Sequence, residues 1–274
     1  MLIPITEASD PRVAGYMSVR EKDLVGRDGL FMAEGEVVLR LLLSRPDREL
    51  RSILVSQSSA IRMADLLAGV PDTVPVYVAA QGVMDALVGF HIHRGVLALV
   101  AAPPQPYAGD LLASLPARAL VVGLVGLANH DNMGGIFRNA AAFGAAAVLL
   151  DQGCCDPLYR KAIRVSVGAS LIVPYARVRD GAAMVRCLDA AGFRVVSLSP
   201  GGTGVLSDYR RPERVAALFG TEGPGLPADV LATTHSLAIP MAPGFDSLNV
   251  ATTSGIVLHH LAAAPAAGDP PAQT

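Results

Sequence analysis

The chain has 274 residues, 51% hydrophobic and 17% charged, with a formal net charge of −2 from 22 basic and 24 acidic side chains. That length can hold two modest cores, and the near balance of charge excludes nucleic-acid binding through bulk basicity, so any such contact has to be a local patch. Three cysteines without C-x-x-C spacing exclude a disulfide framework and a structural zinc site, and read as reduced thiols. The mean hydropathy of +0.43 comes from Ala, Val and Leu spread along the chain. Its strongest run, from Ala119 to Ala128, is too short to span a bilayer, and the N-terminus lacks a basic segment followed by an apolar one. A cytoplasmic protein with no membrane partner is expected.

In chain order, helices are expected at 36–43, 61–67 and 81–87, alternating with strands at 52–56, 76–78 and 96–100, which makes a small α/β layer domain. The segment 101–110, A-A-P-P-Q-P-Y-A-G-D, has the composition of an exposed connector. Beyond it, A-L-V-V-G-L-V-G-L at 119–127 is a continuous apolar run of strand length, as expected of a strand covered on both faces. A helix at 133–143 and strands at 147–150 and 171–173 follow. Next come a helix at 180–191, strands at 194–198, 215–219 and 237–239, and a last helix at 247–262. The expected fold class is α/β, with a parallel sheet flanked by helices in the second domain. The expected domains are 1–102, a linker at 103–118, a second domain at 119–264 and a disordered tail at 265–274.

Three runs carry the chemistry: N-M-G-G-I-F-R at 132–138, F-G-T-E-G-P-G-L at 219–226, and I-P-M at 239–241 followed by S-L-N-V at 247–250. Each falls where an apolar strand stops, the edge at which open α/β sheets bind ligands. Gly220, Gly223 and Gly225 suit a turn that brings backbone close to a ligand. Neither a dinucleotide-binding nor a P-loop fingerprint occurs, nor a G-x-S-x-G elbow, which argues against NAD enzymes, nucleotide hydrolases and serine hydrolases. Arg138 sits one turn into the expected helix, near amides that favour an anion. Asn132 suits either a helix cap or a ribose contact, and Ser247 opens the last helix as its N-cap. His91, His93, His259 and His260 have no partners at metal-ligand spacing and read as structural or surface residues, so no metal is expected.

Together the three runs resemble the signature of the SpoU (TrmH-type) RNA ribose 2'-O-methyltransferases of the SPOUT class, over roughly residues 119–262. The resemblance implies a deep trefoil knot, S-adenosylmethionine as cofactor, RNA rather than DNA as substrate, and a homodimer. It implies that Arg138, Asn132, Glu222, Ser247 and Asn249 form the catalytic site. Leu218, Phe219, Gly220, Glu222, Gly223, Ile239, Met241, Leu248 and Asn249 would form the cofactor pocket, with Ile239, Met241 and Leu248 as apolar walls for adenine. A weaker likeness covers residues 20–100, where F-M-A-E-G-E at 31–36 and H-R-G-V at 93–96 are similar to a ribosomal-protein-like RNA-binding domain. This favours 23S ribosomal RNA over transfer RNA as substrate. A transfer-RNA methyltransferase and a catalytically inactive RNA-binding protein of the same fold are the alternatives.

The segment 159–170 is similar to the family stretch carrying Arg164, Ser166 and Gly168, with a structural role favoured over a phosphate contact. Local RNA contacts are sought among Arg12, Arg20, Lys22, Arg27, Arg40 and Arg94, and among Arg138, Arg160, Lys161 and Arg164. The chain departs from the family pattern at His130, Asp131 and Asn139, which bears on substrate positioning. The family arginine is described as helping to deprotonate the 2'-OH. An ordinary guanidinium, with a pKa of about 12.5 or more, is neutral so rarely at pH 7 that acting as a base carries a handicap of roughly 7 kcal/mol. Orienting a phosphate and stabilising the developing alkoxide is the preferred role for Arg138.

Overall fold

The computed structural model describes residues 2–17, 29–89, 91–92, 94–221, 223–245 and 247–263. The chain divides into two compact units, Met1–Pro104 with Leu158–Gly168, and Gln105–Pro157 with Ala169–Thr274. The excursion at 158–168 departs from the expected boundaries, as does a helix within the expected linker. The tail beyond 263 lies outside the described residues.

The first unit is built on a five-stranded mixed sheet of β1 (Leu2–Ile5), β2 (Leu30–Glu34), β3 (Leu50–Ser56), β4 (Val76–Ala79) and β5 (Val96–Ala101), in the order β1-β4-β3-β5-β2. Strands β1, β4 and β3 run parallel, and β5 is antiparallel to both β3 and β2. Its helices are α1 (Glu36–Leu43), α2 (Gln57–Arg62), α3 (Ala64–Ala68) and α4 (Gln81–Val88). The single helix expected at 61–67 is two short ones. The Ser56 side chain accepts from the Ser59 amide, so helix starts at once after β3, and the chain breaks at Met63. The excursion supplies α7 (Arg160–Val165), whose Arg160 and Arg164 both reach the buried Glu34 carboxylate at the end of β2. Within this unit Arg160 and Arg164 are therefore internal ion-pair partners. Inside the core, the Tyr16 hydroxyl meets Ser52 Oγ at 2.7 Å, and burial raises the Tyr16 pKa.

The second unit holds a seven-stranded sheet in the order β10-β12-β9-β11-β6-β7-β8, with every pairing parallel. Its strands are β6 (Ala119–Leu124), β7 (Ala147–Leu150), β8 (Tyr175–Arg177), β9 (Arg194–Leu198), β10 (Gly204–Val205), β11 (Arg214–Phe219) and β12 (His235–Ala238). All residues of β6 and β7 are buried, which explains their unbroken apolar sequence. Helices α5 (Ala108–Ala113), α6 (His130–Ala142), α8 (Gly181–Ala190), α9 (Ala228–Thr233) and α10 (Val250–Ala263) complete the unit.

Two expectations are corrected here. The strand sought at 171–173 lies at 175–177, after Pro174, and Ala169–Leu171 is a 3-10 turn. Pro174 lacks an amide to donate, but its carbonyl accepts from Val148, so pairing begins at the proline. The strand expected at 119–127 stops at Leu124, and Gly126 with positive φ bends the chain away.

Helices α6 and α10 pack closely because Gly135 has no side chain; a Cβ there would stand 2.8 Å from the Ala251 Cβ. Asn139 fastens the same contact, donating to the Ala251 carbonyl at 2.8 Å and to Ser254 Oγ at 2.9 Å. The residue that departs from the family pattern thus holds two helices together. Asn139→Ala removes both bonds and is expected to lower stability by about 1 kcal/mol. The check is a lowered urea midpoint with an unchanged denaturant slope.

Candidate functional site

Strands β9, β11 and β12 are parallel neighbours, so their carboxyl ends open on one edge of the sheet. A cavity sits there. Its walls are Leu198 to Pro200 at and after the end of β9, Phe219 to Thr221 with Gly223 and Gly225 at and after the end of β11, and Leu237, Ile239 and Met241 along and after β12. Ser247, Leu248, Val250 and Thr253 close it from the start of α10. Among the described lining residues none is charged, and the polar groups are hydroxyls and backbone.

The loop after β11 owes its shape to two close approaches. Thr221 and Gly225 exchange amide-to-carbonyl hydrogen bonds of 3.2 Å each, which ties the 221–225 turn into a closed loop with positive φ at Gly223 and Gly225. Gly220 lies against the end of that turn, and a Cβ there would come within 2.2 Å of the Gly225 carbonyl carbon. Only glycine fits.

Several expected site residues meet at this cavity: Phe219, Gly220, Gly223, Ile239, Met241, Ser247 and Leu248 all line it. Leu218 does not; it is fully buried in the apolar core. Glu222 lies outside the described residues. Gly225, picked out as a turn glycine, also lines the cavity, and Thr221 and Val250 lie within the recognised runs, whereas Leu198, Ser199, Pro200, Leu237 and Thr253 were not singled out from sequence. The signal available for Leu198 to Pro200 was the end of β9, which shares the sheet edge with the recognised runs.

Asn132 and Asn249 stand apart from the cavity lining but meet each other. Asn249 Nδ2 donates to Asn132 Oδ1 at 2.9 Å, joining residues 117 positions apart. Their capping roles differ from expectation. Asn129 caps α6, its Oδ1 accepting from the Asp131 and Asn132 amides. At α10 the capping oxygen is Asn249 Oδ1, which accepts from Ala251 at 2.9 Å and Thr252 at 3.2 Å, rather than Ser247. Each amide of the Asn132–Asn249 pair thereby has its orientation set: one end of Asn249 caps a helix and the other grips Asn132.

Arg138 is exposed on α6 and does not line the cavity. Because α6 begins at His130, Arg138 is in its third turn, beyond the amides at the helix N-terminus. Any anion it binds is held by the guanidinium itself. Other basic candidates are committed to carboxylates: Arg12 to Asp10 at 2.6 Å, Arg40 to Glu36 at 2.8 Å, and Arg160 and Arg164 to Glu34. Arg20, Lys22 and Arg27 lie outside the described residues.

The loop after β7 is braced beside the site. Arg177 donates to the carbonyls of Asp151 at 3.3 Å and Cys154 at 3.2 Å, and Asp151 Oδ1 accepts from the Gly126 amide at 2.9 Å. Cys154 bridges the Leu124 carbonyl and the Leu127 amide, and burial with the nearby Asp151 charge pushes its thiol up to about 12. Such a thiol stays protonated and unreactive at neutral pH. Among the described residues, no three His, Cys, Asp or Glu side chains gather as metal ligands would, and His91 instead meets Asp85 at 2.7 Å.

The Gly220 approach generates a test. Gly220→Ala must displace the 221–225 turn, an overpacking expected to lower stability by about 1–3 kcal/mol. Hydrogen exchange at the Thr221 and Gly225 amides should accelerate well beyond that at the β6 amides. Unchanged protection at 221 and 225 would mean the turn absorbs a methyl group.

Residues 119–259 match the model of the SpoU rRNA Methylase family. An uncharacterized tRNA/rRNA methyltransferase of Mycobacterium tuberculosis is 37% identical over 264 residues, covering 93% of this chain and 90% of the relative. The structure of an AdoMet-bound rRNA methyltransferase from Sinorhizobium meliloti has a TM-score of 0.80 at 23% identity, covering 95% of this chain and 97% of that one. An RNA 2'-O ribose methyltransferase structure gives 0.79 at 23% identity, with 94% and 98% covered. At such identities the solved structures establish a shared fold, α/β with a parallel sheet. The match across the cavity-forming half and the relative similar over nearly the whole length together show that this chain belongs to the SpoU rRNA Methylase family.

Proposed function

We propose that the chain transfers a methyl group from S-adenosylmethionine to a ribose 2'-OH of structured RNA, with 23S ribosomal RNA favoured over transfer RNA. The observation that carries the reading is the largely apolar cavity at the carboxyl edge of β9, β11 and β12, with no charged side chain among its described lining residues. Apolar faces at Leu198, Ile239, Met241 and Leu248 suit an adenine ring, and backbone groups of the 220–225 loop suit its polar edge. A lining without a cation among the described residues also suits a positively charged sulfonium. Bound there, S-adenosylmethionine would supply a methyl group on sulfur that is open to attack by the ribose oxygen.

This chain's own residues have three tasks. Leu198, Met241 and Leu248 exclude water from the apolar part of the donor site. The Asn132–Asn249 pair holds α6 against the start of α10 and offers fixed amide groups beside the cavity. Arg138, exposed and with no acidic partner among the described residues, orients the RNA phosphate and stabilises charge as the 2'-OH loses its proton. The proton leaves to the neighbouring phosphate or to water. Because Arg138 does not line the cavity of its own chain, the reading includes a homodimer in which a second copy completes the RNA side of the site.

Titration calorimetry with S-adenosylmethionine should give a one-site isotherm, and its absence would sink the cofactor assignment. Ribose-methylation mapping of cellular RNA with and without this protein should show loss at one position in ribosomal RNA. Loss in transfer RNA alone would redirect the substrate, and methylation of a base would refute the ribose assignment. Arg138→Lys should keep cofactor affinity yet lower kcat by about 100-fold, since a point charge cannot clamp phosphate in two places. Near-complete activity in the lysine variant would remove the need for a forked clamp.

A further inference from the structure

Between the cavity-lining residues Met241 and Ser247 the chain makes a turn in which the Phe245 amide donates to the Ala242 carbonyl at 3.1 Å. Pro243 and Gly244 occupy its two centre positions, and Gly244 has a φ of 86°. Proline first and glycine with positive φ second make a type II turn, one of the stiffest short connections a chain can form. The residue it presents is Phe245, with 77% of its surface exposed. Burying a phenyl ring is worth about 1.5–3 kcal/mol, so a ring held in water by a rigid turn gains that only when something covers it. Its Cα is two residues from Ser247, and so at most about 7.6 Å from the Cα of a cavity wall.

We propose that Phe245 is the stacking platform for the base of the nucleotide whose ribose is methylated. The inference rests on the function proposed above. A ribose carried to the mouth of the donor cavity brings its base along, and RNA bases taken out of a helix are received by stacking on exposed aromatic rings. The location meets the requirement: Phe245 is outside the cavity lining yet sits in the short stretch between the lining residues Met241 and Ser247, on a turn that loses little freedom when the base arrives. A phenyl ring has no hydrogen-bonding group, so this contact accepts any base by its face. Choice among bases must then come from elsewhere in the site.

The chain contains no tryptophan, so Phe245→Trp places a single indole at the tip and supplies its own signal. The probes are S-adenosylmethionine with a labelled methyl group and total cellular RNA from a strain lacking this protein. Phe245→Ala should lower kcat/KM for RNA by about 10- to 100-fold, the usual effect of removing one stacked base. Its affinity for S-adenosylmethionine should stay within about twofold and its mass in solution should not change. Phe245→Trp should retain most of the activity, and its emission should be quenched as RNA is added. An alanine variant as active as the parent overturns the proposal, as does one whose defect comes with a changed mass, because the ring would then cover a second copy of the chain. Failure of the parent chain to bind S-adenosylmethionine or methylate RNA refutes the underlying function instead.

Discussion

One side-chain hydrogen bond, from Asn249 to Asn132, links the start of α10 to the start of α6. The site depends on it because the two helices bring different parts. The chain entering α10 carries Ser247 and Leu248 to the donor cavity, while α6 carries Arg138. Close approach at Gly135 and the bonds from Asn139 extend the same contact along both helices. Asn132 is buried, and Asn249 meets it with one end while capping α10 with the other, so turning either amide would break a bond and leave the buried Asn132 oxygen without this donor.

The cavity itself follows from backbone geometry more than from side-chain chemistry. Three parallel strands end together, and the loops that leave them must pass one another in little space. At Gly220 the neighbouring turn is so near that no side chain fits, while positive φ at Gly223 and Gly225 folds that turn onto itself. Among the described residues, what remains is a pocket walled by apolar side chains, hydroxyls and backbone, with two nearby ionisable groups engaged elsewhere. Asp151 receives the Gly126 amide, and Arg177 is spent on carbonyls of the 151–155 loop.

Charge is distributed in keeping with the near-neutral composition. Arginines that looked available for RNA, namely Arg12, Arg40, Arg160 and Arg164, each face a carboxylate. Arg138 differs in having no such partner among the described residues, and it stands in one of the three recognised runs. In the function proposed above, the exposed guanidinium would grip phosphate, the cavity, with no charged side chain among its described lining residues, would receive the donor, and Phe245 would add a third surface, for the base.

Elements whose residues are buried on both faces, such as β6, β7 and β11, were readable because continuous burial demands an unbroken apolar run. The glycine and asparagine runs marked the site for a related reason, since close approach and helix capping accept few residue types. Short or edge elements carried no such demand. Strand β1, with one buried residue, and α7, whose arginines seek a glutamate 126 and 130 positions away, look like ordinary surface in one dimension. Local sequence also could not say which asparagine capped and which bridged, because Asn129, Asn132, Ser247 and Asn249 are all competent caps. By itself the sequence determined the class of fold, the sheet edge where the cavity opens and part of the cavity walls. Only the tertiary structure decided that Asn249 reaches Asn132, that Asn139 joins helices and that 158–168 belongs to the first unit, because those outcomes depend on distances between residues that are remote along the chain.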